Sequence, residues 1–190
     1  MKATDLLKAQ HDEVKADFKS LERAQPRRTR DQLLAKIANK LVAHMVMEQE
    51  IFYPACAERL QDKSIVAEAF EEHGIASVQL ARTLGSTGTD ATFEAKTKVL
   101  KELIEHHIEE EEKVLFPKVR KLFDAEELQD LGEQMEMRFE RQLEEGYKRV
   151  LASPPPDARE ALVGTRAATK APSRPRRIAA RGGATKRAKR

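Results

Sequence analysis

Tryptophan is absent from this 190-residue chain, cysteine occurs once, and aromatic residues make up only 5% of it. A single cysteine, Cys56, excludes an internal disulfide and a cysteine-based zinc site, and it fits a reducing compartment. No uninterrupted apolar run approaches the roughly 18 residues of a membrane span. The opening Met-Lys-Ala-Thr-Asp-Leu-Leu-Lys lacks the apolar core of a signal peptide, so the expectation is a soluble, cytoplasmic protein without membrane contact. The near-balanced net charge of +3 misleads. Residues 153–190 hold 11 basic and 2 acidic groups, so the first 152 residues are acidic, at about −6, and the remainder is basic, at about +9.

What is present is helix-forming sequence. Good helix formers dominate residues 4–150, and breakers cluster at only a few places. Helices are expected over about residues 4–24, 29–60, 64–84, 90–123 and 124–150. Thr4 or Asp5 is available to cap the first, and Asp124-Ala-Glu-Glu to cap the last. Each carries an apolar stripe at three- and four-residue spacing, for example Leu7, Val14, Phe18 and Leu21 in the first. In the second the stripe runs Ile37, Leu41, His44, Glu48, Ile51, Ala55, and in the fourth it includes Leu100, Ile104, His107, Glu111 and Val114. The fold class is therefore all-α, an up-and-down four-helix bundle over residues 1–151, with the additional fifth helix packed alongside or over one end. After Ser153-Pro-Pro-Pro, residues 152–190 form a basic tail with almost no large apolar residues, expected to be disordered in isolation.

The histidines carry the chemistry. His11, His44, His73 and His107 fall one on each stripe of the four bundle helices, and an imidazole on a buried face requires a partner. Glu48 follows His44 by four residues and Glu111 follows His107 by four, which places each pair on one helix face about a turn apart. Four imidazoles and two carboxylates suit a dinuclear site for iron, with manganese as the alternative. At about 100° per residue His106 falls roughly 100° from His107, at the edge of the face, so His107 is the expected ligand and His106 a flanking residue. In the run Glu109-Glu-Glu-Glu112, only Glu111 is in register, and Glu109 and Glu112 read as solvated face.

The arrangement is duplicated. His44-Met-Val-Met-Glu48-Gln-Glu-Ile-Phe-Tyr-Pro54 matches His107-Ile-Glu-Glu-Glu111-Glu-Lys-Val-Leu-Phe-Pro117 at an offset of 63, and His11 matches His73 at an offset of 62. Two helix hairpins would thus meet in a pseudo-twofold cage. Pro54 and Pro117 each remove a helical hydrogen bond and predict a kink just past the site, while Tyr53, Phe116 and Cys56 read as core. No His has a Glu three residues before it, which argues against a ferritin-like centre, and no His-Glu-x-x-His occurs, which excludes that zinc protease motif.

In these residues the chain resembles the hemerythrin-like HHE cation-binding domain, over about residues 4–150. The resemblance implies a non-haem di-iron centre with Glu48 and Glu111 bridging two iron ions and an oxo or hydroxo group completing the bridge. It departs at Ser77, where oxygen-carrying hemerythrins have a second histidine. Fewer protein ligands leave more exchangeable positions, so the implied partner is a small diatomic or peroxide ligand in sensing, redox defence or iron handling rather than carriage. The alternative is a DNA-associated protein in which residues 159–190 contact phosphates without reading sequence.

Overall fold

The computed structural model describes residues 1–25, 27–86, 92–155 and 158, and among them every regular element is helical. The basic tail and Asp90, the expected start of the fourth helix, lie outside the described residues. The elements are α1 (Ala3–Arg23), α2 (Arg27–Met47), α3 (Tyr53–Arg59), α4 (Ser64–Leu84), α5 (Phe93–Glu110), α6 (Phe116–Leu122), α7 (Ala125–Glu145) and α8 (Lys148–Leu151). Two π-helical turns, Glu48–Phe52 and Glu111–Leu115, join α2 to α3 and α5 to α6, so each pair is one long rod. With α1 and α4 these rods form the expected four-helix bundle, and α7 lies along α1 and α2 rather than over an end.

The π turns overturn part of the expected helix faces. In each, the amide of the residue before proline reaches back five residues: Tyr53 N–H donates to the Glu48 carbonyl and Phe116 N–H to the Glu111 carbonyl. Proline has no N–H to continue the α pattern, and the wider turn absorbs one extra residue. Beyond Glu48 the buried face therefore passes from the expected Ile51 and Ala55, which are only half-buried, to Phe52, Tyr53 and Cys56, which are fully buried. Beyond Glu111 it passes from Val114, 43% exposed, to Leu115, Phe116 and Val119. The expected proline kink is thus a local change of winding that begins at the carboxylate itself.

Helix ends follow local chemistry. Asp124 caps α7 by accepting from the amides of Glu126 and Glu127, and Glu127 returns a bond to the Asp124 amide, as the sequence suggested. The expected Thr4 or Asp5 cap of α1 is not made; Lys2 occupies the capping position without a side-chain bond. The fifth helix also stops earlier than residue 150, because Gly146 adopts φ 76°, a left-handed conformation that glycine tolerates and that ends a helix.

The core has two halves. Leu7, Phe52, Phe70, Leu115, Phe116 and Met135 belong to one, and Val14, Phe18, Ile37, Leu41, Leu80 and Leu100 to the other. α7 closes the first half through a close approach at Gly132, whose missing side chain makes room for the backbone of Met1, Lys2 and Ala3; an added Cβ would sit 2.9 Å from the Ala3 nitrogen. Against the second half, the nearly buried Asp17 pairs with Lys36 at 2.8 Å and Lys40 at 3.2 Å, tying α1 to α2.

Two stability predictions follow from these contacts. Alanine favours a helix over glycine by about 1 kcal/mol, but overpacking against backbone costs about 1–3 kcal/mol, so Gly132→Ala is expected to lower the urea midpoint. Burial raises the Asp17 carboxyl, but Lys36 and Lys40 outweigh it and hold it below its ordinary value. A depressed carboxylate contributes stability above its unfolded pKa of about 3.9 and loses it as the pH falls. Asp17→Asn should thus be destabilised relative to wild type at pH 7, with the gap narrowing in urea titrations below about pH 4.

Candidate metal centre

Between the two core halves lies a polar layer. His11 comes from α1, His44 from α2, His73 from α4 and His107 from α5, while Glu48 and Glu111 are the first residues of the two π turns. All six are buried, Glu48 completely. The Glu48 Oε2 atom lies 3.2 Å from His44 Nε2 and 3.4 Å from His73 Nε2. Glu111 Oε2 lies 3.3 Å from His11 Nε2 and 3.7 Å from His107 Nε2. Each carboxylate thus reaches the histidine of its own helix and one from the other hairpin, as the pseudo-twofold repeat requires. Donor atoms gather into one group of His11, His44, Glu48 and Glu111 and another of Glu48, His73 and His107, with Glu48 common to both.

The imidazoles are aimed by partners outside the cage. His11 Nδ1 donates to Glu112 at 3.0 Å, His44 Nδ1 to Gln10 at 2.7 Å and His107 Nδ1 to Glu72 at 2.7 Å. A proton held on Nδ1 leaves the Nε2 lone pair of a neutral ring pointing inward, the form a metal ligand needs. Burial, reinforced by neighbouring histidines, pushes His44 and His73 well below the ordinary histidine range. Burial would lower His107 too, but the Glu111 charge and the Glu72 bond raise it. For the carboxylates, burial and the Glu111 charge push Glu48 well up, whereas His107, His11 and His44 overcome burial to hold Glu111 down.

Two further residues reach this layer from positions outside the expected inward faces. Tyr53 is fully buried, as its core reading expects, and its hydroxyl also enters the polar layer, donating to Glu111 Oε1 at 3.1 Å and lying 3.1 Å from His73 Nε2. Its repeat partner Phe116 lacks a hydroxyl and stacks on His11, with ring centroids 5.9 Å apart. Glu112 was placed on the solvated face; in fact it orients His11 and is held by Lys8 at 3.3 Å. At 100° per residue Tyr53 does not face inward and the π turn supplies the missing rotation, whereas Glu112 meets His11 Nδ1 from outside the cage. Glu109 does stay on the exposed face, paired with Lys113. His106 is exposed and approaches the cage only through Glu72. Ser77 points its hydroxyl at Met45. Cys56 is buried, and burial raises its thiol, which leaves it unreactive.

The layer is under-satisfied as protein alone. His11 Nε2, both Glu48 oxygens, His73 Nδ1 and Glu111 Oε2 are buried without a hydrogen-bond partner. Buried polar atoms are rarely left so, and five in one cluster of imidazoles and carboxylates form a donor set suited to cations. Residues 2–119 match the hemerythrin HHE cation binding domain. The chain belongs to that family. A crystal structure of a hemerythrin HHE cation binding domain-containing protein from Mycobacterium kansasii is similar in fold, with a TM-score of 0.67 and 26% identity over 87% of this chain and 99% of that one. Comparison with curated proteins returns no match. Among the described residues no helix is long and apolar enough to cross a membrane. The nucleic-acid alternative concerns residues 159–190, outside the described residues.

For an HHE domain, removing the partner that aims a ligand is expected to weaken cation affinity by about 10–100-fold. Glu112→Ala should do so in a ferrous titration, and Glu109→Ala, on the same helix face run but turned to solvent, should not.

Proposed function

We propose that His11, His44, His73, His107, Glu48 and Glu111 hold two iron ions and that the protein binds oxygen, nitric oxide or peroxide there, serving sensing, redox defence or iron handling. The observation that carries this reading is the set of four unpartnered buried atoms, His11 Nε2, both Glu48 oxygens and Glu111 Oε2, on residues gathered in the cage. Two carboxylates shared between halves balance the charge of two cations, and four neutral nitrogens suit iron better than calcium or magnesium. When bound, the irons would supply electron exchange and open positions for a small ligand.

The chain's own residues set what reaches those positions. A cavity of about 30 Å³ adjoins the histidines, lined by Val14, Leu41, Met45, Ala76, Leu103 and Ile104 together with polar groups that include Gln10 and Glu72. That exceeds the roughly 10–15 Å³ one water needs, yet it is far below the 300–1,000 Å³ of pockets for drug-sized molecules. Diatomic and peroxide molecules fit the size. The apolar lining limits water around the site, and Tyr53 holds Glu111 in place from the opposite side.

Anaerobic loading with ferrous iron tests the reading. Two irons per chain are expected, with thermal stability rising as iron is added, by about 2.7 kcal/mol at a hundredfold excess over Kd. Glu48→Ala and Glu111→Ala should abolish both. Fewer than two irons in the wild type, with no loss in either variant, would overturn it.

A further inference from the structure

Just outside the buried cage lies a second constellation that the di-iron reading leaves unused. His106 and Glu110 repeat the His-x-x-x-Glu spacing of His107 and Glu111 one residue earlier on α5, and Glu72 precedes His73 on α4. The shift by one residue turns the outer trio toward the surface while leaving it beside the inner one. His106 Nε2 lies 3.6 Å from Glu72 Oε1 and 3.7 Å from Glu110 Oε1, and donor atoms of the three residues all lie within 4.8 Å of one another. We propose that His106, Glu110 and Glu72 form a surface-accessible site for one divalent transition-metal ion, such as Fe(II) or Zn(II), separate from the cage.

Three features favour a cation over a simple ion pair. The separations are too long for hydrogen bonds, but they approach the about 3.0–3.4 Å that two donors span when each is about 2.0–2.2 Å from a shared ion. Glu72 and Glu110 make no ion pair with lysine or arginine among the described residues, unlike Glu109 and Glu112 nearby, so their charge is offset by no permanent cation. Glu72 is also pre-positioned. Its other oxygen, Oε2, accepts from His107 Nδ1 at 2.7 Å, which holds Oε1 facing His106. One imidazole with two carboxylates suits borderline divalent ions, and the exposure of His106, 63%, lets water complete the coordination. An ion here would sit one carboxylate away from the buried histidine layer, a position from which metal can be captured at the surface.

The test is isothermal titration of the full-length protein with Zn(II), comparing wild type, His106→Ala, and the double variant His106→Ala/Glu110→Gln. Neither substitution touches the six cage residues. The wild type should bind one more equivalent of Zn(II) than the double variant, with the single variant weakened at that step. Equal stoichiometry and affinity in wild type and double variant would overturn the proposal. The outcome is independent of the di-iron reading: if the cage took up no metal, one equivalent would still bind the wild type and be lost on mutation. Circular dichroism of the variants checks that any loss is not unfolding.

Discussion

Two carboxylates held a few ångströms from four imidazoles in a dry core are the constraint on which the rest of this molecule depends. A like-charged pair cannot ionise freely without water, and here the histidines favour the charge on Glu111 while burial opposes it on Glu48. Such a layer interrupts hydrophobic packing across the whole bundle, and accordingly the apolar core is split into two halves that clamp it from both ends. Hydrophobic burial supplies the stability, and the polar layer fixes which helix faces which.

The duplicated hairpins do not produce equivalent halves. Gln10 and Glu72 occupy matching places in the repeat and bond to His44 and His107, respectively, yet one is a neutral amide and the other a carboxylate. Burial depresses His44, while the Glu111 charge and then the Glu72 bond raise His107. Similarly, Glu112 aims His11, while the Nδ1 of His73 has no partner at all. Tyr53 adds a hydroxyl on the His73 side, where Phe116 offers only a ring to His11. Geometry is preserved by the repeat, and chemistry is varied by the residues one position away from it.

Much of this was legible in the chain. The histidines and glutamates stand at helical spacing with a constant offset, and hydrophobic stripes plus the Asp124 capping box locate the helices. The stretches after Glu48 and Glu111 depart from a constant 100° per residue because a proline follows each carboxylate by six residues. A missing amide there is accommodated by a wider turn, and later side chains change face, which brings Tyr53 into contact with the site and takes Val114 out of the core. The end of α7 at Gly146 depends on one backbone conformation that periodicity does not encode, and the docking of α7 depends on Gly132, whose role is visible only once the chain start is seen beneath it.

That docking also sets a timetable. α1 begins at Ala3, and the helix that covers its first turn begins at Ala125. At a synthesis rate of about 5–20 residues per second, roughly 6–24 s separate the two. Within that interval the four histidine-bearing helices are made one after another, and Leu6 and Leu7 await the neighbouring Leu128, Leu131 and Met135 of their core half until its end. Every cage residue is thus synthesised before α7, which makes α7 the later, covering element of this core half.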